Sequence, residues 1–234
     1  MLMIVRLHRK KGEYYMKIKK VLKIIGIIIA FLIIFVLIHT VRNYIIVTNL
    51  QNKISNYQDS KNYHIKSVEN SNDGTTNTKT DYYRKDNKQA IFIERNTNGE
   101  IVKLSMYDNG ERVDTFTETQ DSKTAKLNSG EMMPINIYNY LDTDNKWQTF
   151  LVCINARIET INLNGKECYT IKEFLSATTL TSEGEEIYID KETGLFIKSI
   201  ETGVVNERNY EFYTVDESIF TEPDISQYTL KENE

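Results

Sequence analysis

Histidine and cysteine, the residues most typical of catalytic and zinc sites, are scarce in this sequence, and its 33 acidic residues are scattered over predicted strands and turns. His8 and His39 lie before or at the end of an apolar N-terminal stretch, which leaves His64 as the one histidine of the remaining chain. A histidine-based dyad or a zinc site needs further ligands at short spacing, and His64 has none there. We therefore interpret His64 as an ordinary strand residue and predict a non-enzymatic protein without catalytic residues, metal or cofactor.

The two thiols, Cys153 and Cys168, stand fifteen positions apart. Outside the cell a disulfide between them is permitted, but two buried small residues need no coincidence of geometry, and we favour that interpretation. The acidic run from Asp142 to Asn145 lacks the fixed glycine and the terminal glutamate of a calcium loop. We interpret this run as a loop and a helix cap.

The most apolar stretch of the chain is Ile24 to Ile38, fifteen residues without a charge. A helix of that length covers roughly 22 Å, and flanking apolar residues extend it to the roughly 30 Å of a bilayer's hydrocarbon core. The cleavage site with small residues that ends a secretory signal peptide does not follow. We predict an uncleaved signal anchor over residues 21–45 that crosses the cell membrane once.

Charge is distributed unevenly along the chain. Residues 1–23 carry eight basic residues and one acidic residue, whereas the rest of the chain has a net charge of −11. The positive-inside rule then places residues 1–20 in the cytoplasm and a domain of residues 46–234 outside the cell. A negative domain also argues against a nucleic-acid partner.

A further hypothesis concerns the start of translation. Written in AT-rich codons, Lys10 to Glu13 contains a purine-rich string of the kind that a bacterial ribosome binds, a few nucleotides before the codon of Met16. Residues 1–15 would then be an untranslated leader, which N-terminal sequencing of the native protein can test.

Two helices are predicted beyond the anchor. From Ile46 to Tyr57 apolar residues recur at spacings of four and three, so we expect the anchor helix to continue out of the bilayer and to cover a sheet with one apolar face. A second helix is predicted from Asp144, its N-cap, to Cys153. Its predicted buried face consists of Trp147, Phe150 and Leu151.

Most of the remaining sequence alternates in polarity, as β-strands do. Val102, Leu104 and Met106 share one predicted face, which indicates a sheet with one wet side. Hairpins are predicted over Asn164-Gly165 and from Tyr188 to Glu201, the latter with its bend in solvent, whereas Gln120 to Ser129 is predicted to be a polar loop. About nine strands and two helical pieces result, which is a mainly β (α+β) fold of antiparallel strands.

The C-terminal half resembles the bacterial lipoprotein-localisation-factor family, with its LolA-like and RseB-like domains. The resemblance is carried by GKECYTIKE, IYIDKETGLFIKSIE and NYEFYTVDESIFTEPDISQY, and YYRKDNKQAIF is similar to the early strands of Gram-positive members. The matching positions are Asp190, Lys191, Thr193, Gly194, Leu195, Phe212, Asp216, Phe220 and Pro223. The resemblance, over roughly Leu50 to Tyr228, implies a curved antiparallel half-barrel with helices covering its open side.

The same resemblance implies a function without catalysis, the binding of a lipid or lipoprotein acyl chain, or of an envelope protein, on the concave face. The candidate lining residues are the alternating apolar ones, Ile91, Ile93, Val102, Leu104, Met106, Tyr169, Ile171, Phe196, Tyr210 and Phe212. The alternative for each is a place in the core under the helices. A second hypothesis for the chain is an envelope sensor or regulatory module that binds another membrane protein.

Overall fold

The computed structural model describes residues 2–133, 135, 137, 146–173, 186–201 and 203–231, which form two α-helices and one open, curved sheet of twelve strands. The helices are α1 (Leu2–Gln58) and α2 (Lys146–Asn155). The strands of the first half are β1 (Asn62–Ser71), β2 (Thr76–Lys85), β3 (Lys88–Thr97), β4 (Glu100–Asp108), β5 (Arg112–Glu118) and β6 (Lys123–Ser129). Those of the second half are β7 (Ala156–Leu163), β8 (Lys166–Glu173), β9 (Glu186–Asp190), β10 (Phe196–Glu201), β11 (Val204–Phe212) and β12 (Thr229–Leu230).

The strands follow the order β12-β6-β5-β4-β3-β2-β1-β11-β10-β9-β8-β7. Neighbours are antiparallel except β12, which pairs parallel to β6. The predicted mainly β fold is therefore confirmed, with twelve strands instead of about nine. The prediction of a polar loop from Gln120 to Ser129 is wrong, because β6 pairs with β5 along its whole length. β6 has few apolar residues of its own, so its pattern did not predict a strand.

The first helix, α1, is continuous over 57 residues. It contains the one helix segment of the described residues that is long and apolar enough to cross a membrane, and side chains from Val21 to Ile38 are exposed. Beyond Thr40 one stripe of α1 becomes buried against the sheet, including Leu50 and Ile54. The predicted continuation of the helix with one apolar face is confirmed. We name the sheet face that α1 covers the inner face.

Two apolar clusters fill the space between the helices and the inner face. Around the first cluster, α1 and α2 pack on β7 to β10, and around the second the end of α1 packs on β1 to β4 and β11. The buried members of the first are Val47, Leu50, Val152, Cys153, Ala156, Ile158, Ile171, Ile187, Ile189 and Phe196. Those of the second are Ile54, Tyr63, Ile65, Tyr82, Ile91, Ile137 and Leu195.

The opposite, outer face carries a third cluster, so the prediction of one wet side is wrong for β2 to β6. A row of rings runs across these strands, which we name the outer aromatic row: Tyr83, Phe92, Tyr107, Phe116 and Tyr228. The last ring belongs to residues 214–231, the C-terminal segment, which also packs Ile219 and Phe220 on this face. The segment contains two short 3-10 helices, Glu217–Phe220 and Ile225–Gln227, and ends in β12.

The second helix, α2, has a different buried face from the predicted one. Trp147 is 61% exposed, Phe150 is 38% exposed and Leu151 is only half-buried, whereas Val152 and Cys153 are buried. The cause is a polar contact that periodicity cannot show, because Asn43 of α1 donates from Nδ2 to the carbonyl oxygens of Cys153 (2.9 Å) and Ala156 (2.7 Å) and so sets how α2 faces α1. The proposed cap, Asp144, lies outside the described residues.

The bend between β9 and β10 lies in solvent only in part, because Glu192 is exposed but the ends of the bend are not. Asp190 and Leu195 at its ends are buried, and Gly194 is in direct contact with the backbone of α1. Lys53 of α1 donates from Nζ to the carbonyl oxygen of Lys191. The Asp-Lys-Glu-Thr-Gly motif therefore forms a seat for α1.

The C-terminal segment is fastened to β5 by charged groups around a buried carboxylate. Arg112 Nη2 lies 2.6 Å from Oδ2 of Asp114 and 3.5 Å from Oε2 of Glu222. Asp114 is buried, and its Oδ1 accepts no hydrogen bond from the described residues. Burial, and then the neighbouring Asp114, raises the pKa of Glu222. A protonated Glu222 can therefore donate to the buried carboxylate.

We expect this pair to make the free energy of unfolding fall as pH rises. Because folding raises the pKa of Glu222, its stabilising contribution is present below the unfolded-state pKa of about 4.5 and is lost as pH rises through the folded-state value. Glu222→Gln keeps a donor but does not titrate. In urea denaturation from about pH 4 to 7, the free energy of unfolding of the parent should fall relative to that of the variant as pH rises, and parallel profiles would contradict the assignment.

Candidate functional site

All ten predicted lining residues lie on the inner face, as the strand register shows. They do not form one group. Tyr169, Ile171 and Phe196 belong to the first cluster, while a second group lies in or against the second cluster: Ile91, Ile93, Met106, Tyr210 and Phe212. Val102 and Leu104 lie further along β4, outside both clusters.

The first cluster is a closed core. Ile171 and Phe196 are almost completely buried, and the residues that cover them come from α1 and α2. Arg208 extends along the inner face, with its guanidinium carbon 5.1 Å from the centre of the Phe196 ring. At this end of the sheet, α1 and α2 cover the part of the inner face on which the sequence resemblance predicts an apolar partner.

The second cluster is closed at one end by a buried polar network. Tyr82 donates from its hydroxyl to Oε1 of Gln89 (2.6 Å), and Gln89 donates from Nε2 to Oδ2 of Asp108 (3.1 Å). The same Asp108 oxygen accepts from the backbone N–H of Met132 (2.7 Å). Burial is the main reason why the pKa of Tyr82 is raised, so its hydroxyl remains protonated and can donate. The network holds the chain around Met132 over the start of β3 and the end of β4.

Away from this network the inner face becomes exposed. Along β3 the buried Gln89 and Ile91 are followed by the half-buried Ile93, and along β4 exposure rises from the buried Asp108 towards Val102. The resulting surface consists of Ile93, Val102, Leu104 and Met106, which we name the open strip. Cross-strand pairing sets Ile93 opposite Leu104, so these side chains form one apolar surface.

Threonines border the open strip on both sides. Thr80 of β2 pairs with Ile93, and on β5 Thr115 pairs with Met106 and Thr117 with Leu104. Their methyl groups extend the apolar surface and their hydroxyls can meet a polar group at its margin. The strip therefore has the chemistry of a groove for a chain-like apolar group with a polar end. This border was not among the predicted residues, because threonine on a strand normally indicates a wet face.

His64 has acidic neighbours that spacing along the sequence did not reveal. Its Nε2 lies 2.8 Å from Oδ1 of Asp81, and its Nδ1 lies 3.5 Å from Oε2 of Glu211. Its ring stacks on Tyr83 with centroids 4.1 Å apart. These partners come from the strands on either side of β1, and only the register identifies them. The group lies on the outer face, opposite the open strip.

The two cysteines are buried and not bonded to each other, as the favoured interpretation predicted. Burial raises the pKa of the Cys153 thiol to about 11 and also raises the pKa of Cys168. Both thiols are therefore protonated at neutral pH and shielded from substrates, which makes them poor nucleophiles. Within the described ranges, three or more His, Cys, Asp or Glu side chains nowhere form a group that could hold a metal ion.

A comparison with protein families gives no match, and neither does a comparison with curated proteins. Similar solved structures include an uncharacterized conserved protein from Thermus thermophilus, at 10% identity and a TM-score of 0.44, covering 79% of this chain and 98% of that chain. A chain of the Pseudomonas aeruginosa MucA/MucB complex is similar at 10% identity and a TM-score of 0.35, covering 75% and 61% of the two chains.

A putative outer membrane lipoprotein-sorting protein domain from Vibrio parahaemolyticus is similar at 9% identity and a TM-score of 0.22, covering 74% of this chain and 95% of that chain. The last two structures are of the RseB-like and LolA-like kinds that the sequence resemblance names. Because all three TM-scores are low, none of them assigns a ligand or a partner to this chain.

Proposed function

We propose that this chain is a membrane-anchored, non-catalytic binding domain of the lipoprotein-localisation-factor kind, whose open strip takes an acyl chain of a lipid or lipoprotein. Within the predicted anchor of residues 21–45, we assign the membrane span to Val21–Ile38, because Thr40 and Asn43 are already buried against the domain. Lys19, Lys20 and Lys23 precede this segment, and by the positive-inside rule they favour a cytoplasmic N-terminus and a sheet outside the cell. The anchor then keeps the domain beside a source of acyl chains.

The observation that supports this proposal most is the partial cover of the inner face. α1 ends at Gln58, and its last apolar contacts, Ile54 and Tyr57, belong to the second cluster. The open strip lies beyond them and is half exposed, although its residues are as apolar as those of the core. Each acyl methylene buried there would contribute about 0.8 kcal/mol. A chain of modest length can therefore bind without any catalytic group.

The proposal can be tested with a soluble form that begins at His39 and keeps the part of α1 that packs on the sheet. We expect it to bind a fluorescent fatty acid and to carry lipid detectable by mass spectrometry. Val102→Gln and Leu104→Gln should each weaken binding by about 3- to 10-fold, since each removes apolar area worth roughly 1 kcal/mol.

Ile101→Gln is the matched control for Val102→Gln. The two residues are neighbours on β4 with similar exposure, 45% and 39%, but Ile101 lies on the outer face. We expect the control to bind like the parent protein. Equal effects of the two substitutions, or an absence of fatty-acid binding in the parent, would contradict a site on the open strip.

A second candidate function, regulation through a protein partner, is favoured by the position of β7. Among the described strands β7 forms one edge of the sheet, and an edge strand can pair with an extended segment of another chain. It also lies beside α1, since Arg42 donates from Nη2 to the carbonyl oxygen of Ile158 (3.1 Å). A photo-crosslinker at Asn162 should then capture one envelope protein, and capture of none would count against this function.

A further inference from the structure

The exposed face of α2 is apolar. Trp147, Phe150 and Ile154 follow one another at spacings of three and four and are 61%, 38% and 38% exposed. The rings of Trp147 and Phe150 stack with centroids 5.4 Å apart. A surface helix of a soluble domain normally turns polar side chains outward, so this helix has one apolar face towards the core and a second towards its surroundings.

The position of α2 along α1 identifies those surroundings. The hydrogen bonds from Asn43 fix the C-terminal end of α2 beside a point of α1 five residues beyond Ile38. Five residues of helix correspond to about 7.5 Å, and the interfacial layer outside the hydrocarbon core is roughly 5–8 Å thick. With the membrane span ending near Ile38, the C-terminal end of α2 therefore lies at the level of the lipid headgroups.

The apolar surface of α1 continues across this level. Val41, Tyr44 and Ile45 are each about half exposed, on both sides of the Asn43 contact that binds α2. A bilayer surface is the occupant that such a surface fits, because it is continuous with the membrane-spanning part of the same helix. Tryptophan and tyrosine are also the residues that favour the membrane interface.

Cationic groups lie at the same level. A shallow cleft of about 650 Å³ is lined by His39 and Arg42 of α1 and by Arg157 to Thr160 of β7. Arg157 pairs with Oε1 of Glu159, which also lines the cleft, through both Nε (2.7 Å) and Nη2, and Arg42 donates to the Ile158 carbonyl. Each guanidinium has five N–H donors, so both retain donors for a lipid phosphate.

We propose that α2, together with Arg42 and Arg157, docks on the outer leaflet of the bilayer that α1 crosses. Trp147, Phe150 and Ile154 enter the boundary between headgroups and acyl chains, and the two arginines bind phosphates. The domain then stands on the membrane in one orientation instead of moving on a tether. This inference rests on the proposed membrane anchor and adds a second contact to it.

Trp147 is the only tryptophan of the chain, so its fluorescence reports on α2 alone. The full-length protein is reconstituted into vesicles of phosphatidylcholine and phosphatidylglycerol, with a doxyl quencher on the lipid near the headgroup. We expect Trp147 to emit at short wavelength and to be strongly quenched by this lipid. Acrylamide should quench it at least about twofold less than it quenches a water-exposed tryptophan.

The matched control moves the probe away from the membrane. Tyr213 is 78% exposed and follows β11, near the C-terminal end of α1. That end of the helix, Gln58, lies twenty residues beyond Ile38, which corresponds to roughly 30 Å. In the double variant Trp147→Phe with Tyr213→Trp we expect quenching by acrylamide and none by the lipid. If the lipid quencher acts as strongly on the variant as on the native protein, and acrylamide does too, the docking is overturned.

Flotation of the vesicles after an alkaline wash separates this inference from the anchor. Protein that floats while Trp147 resists the lipid quencher refutes docking alone and leaves the anchor standing. Protein that is washed off refutes the anchor and, with it, the docking. Protein that floats with a quenched Trp147 supports both.

Discussion

Replacing Phe116 by alanine will lower the free energy of unfolding by about 3–5 kcal/mol, although this residue lies on the face of the sheet that alternation predicts to be wet. Phe116 is only 2% exposed. Its ring lies between Tyr107 and Tyr228, with centroid distances of 5.8 Å and 5.0 Å. The substitution removes the ring that joins the sheet to the C-terminal segment, and the rigid strands around it cannot close the cavity.

Urea denaturation of the full-length protein in micelles measures this loss, and limited proteolysis shows where it acts. We expect cleavage first between Asp216 and Tyr228, because the C-terminal segment loses its main apolar contact. Tyr213→Ala is the control, since its side chain is exposed and its removal should cost less than about 0.5 kcal/mol. A loss below about 1 kcal/mol for Phe116→Ala would mean that the outer aromatic row does not hold the segment.

The elements that the sequence predicted well are those whose signals are local. The long N-terminal helix and its apolar stripe follow from spacing within one helix, and the hairpin over Asn164-Gly165 follows from a two-residue turn in which both residues have positive φ. Alternation likewise placed the ten candidate residues on one face. Each of these signals is complete within about ten neighbouring residues.

The features that could not be predicted depend on partners far along the chain. Asn43 orients α2 from more than a hundred residues away, and Tyr228, near the other end of the sequence, completes the outer aromatic row by packing on Phe116. The C-terminal segment has neither a helical nor a strand period, because it follows the surface of the sheet. His64 belongs to the same group, since its acidic neighbours are set by strand order.

The candidate site shows the same division. Alternation identifies the inner face but not which part of it is covered, because cover depends on where α1 ends and on how the chain near Met132 folds back. The polar network of Tyr82, Gln89 and Asp108 decides the second point. Four residues of the predicted ten therefore remain as the open strip. Three of the others are buried core residues, and the remaining three are half-buried against the two clusters.

The second large loss of stability is expected from Gly194→Ala, in the bend between β9 and β10 on which α1 packs. Gly194 has φ of +77°, and a Cβ there would lie 2.7 Å from the carbonyl oxygen of Leu50 and 3.2 Å from the backbone nitrogen of Ile54. The left-handed conformation costs an alanine about 1–2 kcal/mol, and overpacking against backbone adds about 1–3 kcal/mol. We therefore expect the free energy of unfolding to fall by about 2–5 kcal/mol in urea denaturation.

Gly99→Ala separates the two contributions. Gly99 has φ of +92°, and nothing lies within 4 Å of the position that a Cβ would take there, so this control should lose only the conformational part, about 1–2 kcal/mol. The excess loss at Gly194 then measures how firmly α1 rests on the bend between β9 and β10. Because Ile54 of α1 also closes the second cluster beside the open strip, a displaced α1 should change fatty-acid binding in Gly194→Ala but not in Gly99→Ala. Equal losses in the two variants would show that α1 can move away from the bend at no cost, and the boundary between the closed core and the open strip would then have to be set by other contacts.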